Sequence, residues 1–166
     1  MATDKDGIAR KRILVVDDEP SIREYFKFVL ESEGWEVHEA GSAEEALAQF
    51  EKHDYDLITL DCLMQGTDGL ECHRTLSQRY GYGEAPQESD QPKLPPILVI
   101  TGWYELEDVQ RMIFGERVVG ILRKPVSAEK LLEVVRDHMR WEGLRHMRRV
   151  KSITRQVHKC QAACNA

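Results

Sequence analysis

Five side chains that could share one reaction stand where short apolar segments of the sequence end: Asp17, Asp18, Asp61, Thr101 and Lys124. Three of them are carboxylates, which repel one another at close range unless one is protonated or a cation lies between them. Mg²⁺ meets this need, because it prefers oxygen ligands and binds through one or two carboxylates, waters and phosphate oxygens. The set is therefore suited to magnesium-assisted transfer of a phosphoryl group.

The residue types also suggest a division of roles. With a metal ion nearby, Asp61 could stay ionised and attack phosphorus, giving an aspartyl phosphate. Thr101 and Lys124 could bind the phosphoryl oxygens on the side opposite the metal, and the lysine contact would be charge-assisted. Positioning and charge neutralisation are the main contributions that a protein makes to such a transfer.

Each of these residues also has a purely structural interpretation. The pair Asp17-Asp18 could simply favour the N-terminus of a following helix, and Thr101 could be a β-branched strand residue. A single aspartate at a strand end and a Lys-Pro dipeptide are both common. It is the placement of all five residues at strand ends that favours a shared site.

The elements that must position these residues are read from apolar runs and helical spacing. Strands are predicted at residues 13–16, 35–40, 57–60, 97–100 and 118–122. Helices are predicted from Pro20 to a C′ residue at Gly34, from a Ser42 cap to about Phe50, over 69–79, near 105–114 and after a Ser127 cap.

Five strands alternating with five helices predict an α/β fold with one parallel sheet covered on both faces. The common doubly wound order for five strands is 2-1-3-4-5, as in flavodoxin-like folds, and it puts the first and third strands side by side. Asp17, Asp18 and Asp61 would then converge at the carboxyl ends of the strands, where such sheets bind ligands.

Four segments resemble the receiver domains of two-component response regulators, and the resemblance covers roughly residues 12–139. The segments are ILVVDDEP (13–20), DCLM (61–64) with Asp68-Gly69, VITG (99–102) and RKP (123–125). The combination is highly specific, although each segment alone is not.

The resemblance implies a magnesium site. Asp17 and Asp18 would be the acidic metal pair, with Asp18 favoured as the direct ligand. Asp61 would be the phosphoacceptor and a metal ligand, and the backbone carbonyl of Leu63 would be a further ligand. The resemblance also implies that Thr101 is the switch hydroxyl and that a cis peptide joins Lys124 to Pro125.

The sequence departs from the family pattern at two positions. Gln65 stands where the family usually has proline, which loosens a turn but removes no reactive group. Ile121 stands where the family often has an aromatic residue that swings inward, so an aromatic rotamer switch is excluded here. In addition, Leu63 and Trp103 flank the site in this family; both are apolar, and we predict that they hinder an attacking water and prolong the phosphorylated state.

Composition favours a cytoplasmic chain. No run approaches the roughly 18 apolar residues that a membrane span needs, and the start MATDKDGIARKR has no apolar signal core. The four cysteines are predicted to be reduced thiols, as is usual in that compartment.

Three regions are predicted: a polar lead at 1–11, the receiver domain at 12–139 with a long Gly/Pro-rich loop at 80–96, and a basic extension at 140–166. The extension has good helix formers and a short 3-4 apolar seam. It could pair with a second copy in a homodimer, fold back on the acidic domain or remain a solvated helix. A nucleic-acid contact is disfavoured, because no recognisable DNA-binding motif is present.

The leading interpretation is a stand-alone phosphorylation switch, without multi-turnover catalysis, that accepts its phosphoryl group from a histidine kinase or phosphotransfer protein. Output would pass through protein contacts of the face formed by the fourth helix, fifth strand and fifth helix. One alternative is a constitutive interaction module on the same fold. Another is an aspartate-nucleophile phosphatase, but such enzymes have Asp-x-Asp after the first strand, whereas Leu63 lies two residues beyond Asp61.

Overall fold

Five parallel strands form one sheet in the order β2-β1-β3-β4-β5. The strands are β1 (Arg12–Val16), β2 (Glu36–Ala40), β3 (Leu57–Leu60), β4 (Ile97–Thr101) and β5 (Val118–Arg123). The predicted doubly wound order is confirmed, and β1 lies between β2 and β3. The three inner strands are almost wholly apolar and buried, as expected of parallel strands that are covered on both faces.

The computed structural model describes residues 10–64, 69–80, 94–102 and 118–140. The predictions for the polar lead, most of the loop at 80–96, the helix near 105–114 and the extension beyond residue 140 fall outside these residues, as do Gln65 and Trp103. The sheet belongs to a compact unit that ends at Lys130, and a second unit begins at Leu131. In the described part of the chain, no helix is long and apolar enough to cross a membrane.

Four helices are described: α1 (Pro20–Glu31), α2 (Ala43–Phe50), α3 (Gly69–Tyr80) and a helix at 128–140. In α1, Pro20 occupies the first turn, where its missing N–H costs no hydrogen bond. Phe26, Val29 and Leu30 are buried on one face of the helix.

The end of α1 differs slightly from the prediction. Ser32 is the C-cap, so Gly34 with its φ of +84° is the second residue beyond the cap rather than the first. The hydroxyl of Ser32 donates to the carbonyl of Val29 at 2.6 Å and thereby satisfies a carbonyl of the last turn. The left-handed backbone at Gly34 still reverses the chain into β2.

Side-chain caps begin α2 and the last helix, as predicted. The N–H of Glu45 donates to Oγ of Ser42 at 3.2 Å, and the carboxylate of Glu45 accepts from the N–H of Gly41 at 2.7 Å. This is a variant of the capping box, because the carboxylate of Glu45 accepts from the residue before the N-cap instead of from the N-cap residue itself. The N–H of Lys130 donates to Oγ of Ser127 at 3.2 Å.

The core lies beside the central strands and packs around side chains from β1, β2, β3, β4, α2 and α3. It includes two cysteines, Cys62 and Cys72, which are not joined in a disulfide and are about 1% exposed. Burial raises the pKa of the Cys72 thiol to about 12, so this thiol stays protonated at neutral pH. Both residues are thiols in the structure, and their reduced state in the cell stays a prediction.

Candidate functional site

The acidic residues follow β1 and β3, which are neighbours in the sheet. Val16 is paired with Leu60 in the register of these strands, so Asp17 and Asp61 come next at the same edge. The N–H of Asp61 donates to the carbonyl of Val16 at 3.0 Å, which extends the ladder by one residue. The predicted convergence therefore follows directly from strand order and register.

Asp17, Asp18 and Asp61 form one cluster, in which one carboxylate oxygen of each lies within 4.8 Å of the others. Asp17 and Asp61 are only 2% and 4% exposed, and Asp18 is half-buried. Of the residues that the structure describes, these make up the one group of three or more side chains spaced to hold a metal ion.

Lys124 reaches this cluster from the end of β5. Its N–H donates to the carbonyl of Thr101 at 2.9 Å, which fixes the start of its side chain beside the end of β4. Its Nζ lies 2.7 Å from Oδ2 of Asp17 and 2.5 Å from Oδ2 of Asp61. The peptide bond to Pro125 is cis, as the resemblance implies.

The two oxygens of Asp61 have different partners. Oδ1 accepts from the N–H of Leu63 at 2.9 Å, and Oδ2 accepts from Lys124. The side chain of Leu63 is 50% exposed, so an apolar group stands at the solvent side of the cluster. Thr101 is completely buried at the end of β4, while Ile121 is half-buried and packs against the core.

Burial controls the electrostatics of the pocket. It raises the pKa of Asp17, and the hydrogen bond from Lys124 opposes this effect without cancelling it. Burial also acts to lower the pKa of Lys124, but the hydrogen bonds to Asp17 and Asp61 outweigh burial, so that the pKa is raised. The pocket therefore holds a firmly charged ammonium group beside the carboxylate of Asp17, which burial makes costly to keep ionised.

The donor set fits Mg²⁺. Three carboxylates and a nearby backbone carbonyl supply only oxygen atoms, which are the ligands that this hard cation prefers. Burial has made the ionised form of Asp17 costly, and a divalent cation would offset that cost more completely than the single charge of Lys124. No cysteine or histidine belongs to the cluster, so its donors do not favour zinc or copper.

Two contacts to Asp17 were missed by the sequence analysis. The N–H of Glu19 donates to Oδ1 of Asp17 at 3.0 Å, a local turn that an aspartate before a helix often makes and that could have been anticipated. Nη1 of Arg23 donates to the backbone carbonyl of Asp17 at 2.5 Å. Nothing in the spacing of Arg23 indicated where its long side chain would end.

Comparison with known proteins identifies the family. Residues 13–136 match the family model described as the response regulator receiver domain. The transcriptional regulatory protein ResD of Bacillus subtilis is 44% identical over 96 residues, covering 58% of this chain and 35% of ResD. The chain spans between 35% and 58% of the length of the first three curated relatives that it matches.

Solved structures agree with this match. A CheY-like response regulator receiver domain protein from Methanospirillum hungatei is 26% identical, with a TM-score of 0.67 over 82% of this chain and 99% of that chain. The response regulator TrrA of Thermotoga maritima, solved in complex with Mg²⁺-BeF, is 32% identical, with a TM-score of 0.60 over 77% of this chain and 98% of that chain. Receiver domains are signalling switches of two-component systems, and the family binds Mg²⁺ at an acidic pocket. This chain belongs to the response regulator receiver domain family.

Proposed function

We propose that this chain is a phosphorylation-dependent signalling switch whose phosphoacceptor is Asp61. The observation that carries the proposal is the position of Asp61: its buried carboxylate shares one small cluster with Asp17, Asp18 and Lys124. Buried like charges are costly, and neutral side chains of similar volume would make a more stable strand end. The cluster is explained if it is used to bind a cation and a phosphoryl group.

In the proposed reaction, a carboxylate oxygen of Asp61 attacks the phosphorus of the donor. The bond between phosphorus and the leaving group breaks, and the leaving group takes its electron pair. The contacts from Leu63 and Lys124 orient the carboxylate before attack. The contact from Lys124 is the one that breaks, because its flexible ammonium group can move from Oδ2 to a phosphoryl oxygen. The N–H of Leu63 belongs to the backbone and stays in place.

Asp17, Asp18, Asp61 and the backbone carbonyl of Leu63 would hold Mg²⁺. When bound, the ion neutralises charge on the carboxylates and on the phosphoryl oxygens. Asp18 is favoured as the direct ligand, in keeping with its being the most exposed of the three carboxylates. Asp17 is largely committed to other contacts, since it accepts from both Lys124 and Glu19.

Thr101 and Lys124 would bind the new phosphoryl oxygens and transmit the change. Thr101 is completely buried beside β5, so a movement of its hydroxyl toward a phosphoryl group requires neighbouring side chains to repack. Phosphorylation would thereby bias an existing equilibrium between two shapes of this region. A swing from 1:99 to 99:1 needs about 5.5 kcal/mol of differential stabilisation.

Response regulators receive phosphoryl groups from histidine kinases or phosphotransfer proteins, and we propose a partner of this kind as the donor. Output would pass through protein contacts of the face that includes β5, whose Val119 is 38% exposed. The proposed domain limits are residues 12–139.

The proposal is tested by intact-mass spectrometry after incubation with acetyl phosphate, in Mg²⁺ and in EDTA. We expect a gain of one phosphoryl group in Mg²⁺, no gain in EDTA and no gain for Asp61→Asn. Asp54→Asn is the matched control, because it makes the same chemical change at an exposed position and should be modified like the wild type.

Two results would count against the proposal. A gain that persists in Asp61→Asn would move the phosphoacceptor to another residue. The absence of any gain, with acetyl phosphate and with purified kinases alike, would favour a constitutive interaction module on the receiver fold.

A further inference from the structure

Arg23 holds the backbone between Asp17 and Asp18, the two acidic residues that follow β1. It lies in the first half of α1, and its Nη1 donates to the backbone carbonyl of Asp17 at 2.5 Å. That carbonyl belongs to the peptide unit joining Asp17 to Asp18, and the unit is planar. A fixed carbonyl oxygen therefore fixes the direction in which the chain enters Asp18.

Gly41 provides the space for this contact. A Cβ built on Gly41 would lie 3.2 Å from Nη1, 3.3 Å from Cζ and 3.4 Å from Nη2 of Arg23, so a larger residue would displace the guanidinium by a few tenths of an ångström. Gly41 is itself held by Glu45 at 2.7 Å, and the preceding carbonyl of Ala40 accepts from the N–H of Asp17 at 3.1 Å. The guanidinium thus rests on a fixed segment rather than on a loose loop.

We propose that Arg23 is a positioning residue for the magnesium site, and that Gly41 is required because it leaves room for the guanidinium. The inference rests on the proposed function, since it assumes that the carboxylates bind Mg²⁺. Among the described residues, Arg23 contacts no carboxylate oxygen, and it acts through the peptide between Asp17 and Asp18.

Charge alone predicts the opposite effect, which makes the inference testable. A guanidinium beside an acidic cluster repels Mg²⁺, so its removal should tighten metal binding if only long-range electrostatics mattered. If Arg23 positions the ligands, its removal should weaken binding. Residues that orient metal ligands typically change metal affinity by 10- to 100-fold, and a residue that acts through the backbone should lie near the lower figure, at about tenfold.

The experiment is calorimetric titration of the whole chain with MgCl₂, without any phosphoryl donor. We expect Arg23→Gln to raise the Kd for Mg²⁺ about tenfold, Arg23→Lys to recover part of the loss, and Gly41→Ala to give a smaller loss. Lys27→Gln is the matched control: it removes the same charge from α1 and breaks a 2.9 Å ion pair to β2, at Glu39, but does not touch the acidic segment. Its Kd should equal or fall slightly below that of the wild type.

Unfolding by urea in EDTA separates positioning from folding. Arg23→Gln and Lys27→Gln should lose similar, small amounts of stability without metal, while only Arg23→Gln loses metal affinity. If Arg23→Gln does not fold, Gly41→Ala decides the question, because it retains every hydrogen-bonding group. Unchanged or tighter binding in Gly41→Ala and Arg23→Gln would overturn the inference and leave the proposed function intact, whereas a wild type that binds no Mg²⁺ would overturn both.

Discussion

Nζ of Lys124 lies 2.5 Å from Oδ2 of Asp61, and the carboxylate that it contacts is 4% exposed. The same ammonium lies 2.7 Å from Oδ2 of Asp17, so one positive charge is shared by two buried carboxylates. In this arrangement, Lys124 supplies the internal counter-charge of the pocket. It also stands among the oxygens that Mg²⁺ would use, and the two cations should therefore compete.

Removal of Lys124 should destabilise the metal-free protein. In Lys124→Met, Asp17 and Asp61 remain buried without their shared cation, and the loss of one partner from a buried ion pair typically costs about 3–5 kcal/mol. We expect a loss of about 3 kcal/mol in the free energy of unfolding, measured with urea in EDTA. Mg²⁺ should restore part of this stability and should bind more tightly than to the wild type, although phosphorylation is lost.

Lys11→Met is the control for this comparison. Lys11 forms an ion pair of 2.6 Å with Asp56, but both side chains are substantially exposed, at 44% and 32%. Exposed pairs contribute about 0–1 kcal/mol. Equal losses of unfolding free energy in Lys11→Met and Lys124→Met would show that burial does not determine how much the Lys124 contact contributes to stability.

Neutralising Asp17 should have the opposite effect on the metal-free protein. Burial raises the pKa of this carboxyl group, which means that the folded state disfavours its ionised form. Asp17→Asn retains the side-chain size and leaves Lys124 with one carboxylate, so the urea midpoint in EDTA should rise at neutral pH.

The same variant should lose its response to Mg²⁺. For the wild type, a Mg²⁺ concentration of 100 times Kd should add about 2.7 kcal/mol to the free energy of unfolding. We expect little of this gain in Asp17→Asn and the full gain in Asp56→Asn, which changes a carboxylate remote from the cluster. A urea midpoint in EDTA that is lower for Asp17→Asn than for the wild type would contradict the conclusion that the folded state disfavours the ionised form of Asp17.

The strand ends could be predicted from sequence because their causes are local and few. The run Leu57–Leu60 is bounded by Asp56 and Asp61, and the observed β3 has these limits. Once β1 and β3 are neighbours, register alone brings Asp17 and Asp61 to the same edge. The alternation of strands and helices predicted a parallel sheet, and the strand order was predicted as the common doubly wound order for five strands.

The contacts of long side chains could not be predicted in this way. The ammonium of Lys124 is separated from its backbone by four carbon atoms, and only the assembled pocket determines that it bridges two carboxylates. Similarly, the contact of Arg23 with Asp17 depends on a neighbouring strand end where Gly41 leaves space. Such contacts combine three separate elements, and no sequence spacing encodes them.

His38 should make the stability of the protein depend on pH. Its Nδ1 lies 2.7 Å from the hydroxyl of Tyr55, and its Nε2 lies 3.1 Å from Oε1 of Glu36. Because a carboxylate only accepts, the neutral ring donates from Nε2 and accepts at Nδ1. Burial lowers the pKa of His38 below its usual 6.5, and the neighbouring His53 acts in the same direction.

The sign of the effect follows from proton binding. Below pH 6.5 the unfolded chain protonates this residue before the folded protein does, so the free energy of unfolding falls as pH falls through that value. His38→Gln removes this contribution and should flatten the profile between about pH 5 and 7, measured by urea unfolding. Superimposable profiles for the variant and the wild type would show that His38 is not the group responsible.

Leu63 should prolong the phosphorylated state. Its N–H donates to Oδ1 of Asp61 at 2.9 Å, and its side chain is apolar and 50% exposed, so we expect it to hinder the approach of water to the new phosphoryl group. Leu63→Asn replaces this barrier with a group that can hold a water, and we expect hydrolysis about tenfold faster, or roughly 1.4 kcal/mol of activation free energy. The loss of the phosphoryl group is followed by intact mass after removal of the donor.

Phe28→Asn is the control: it changes a side chain that is 77% exposed on α1 and should leave the lifetime of the phosphorylated state unchanged. A wild-type half-life of seconds would contradict the prediction, because the apolar side chain would then offer no protection that Asn could remove.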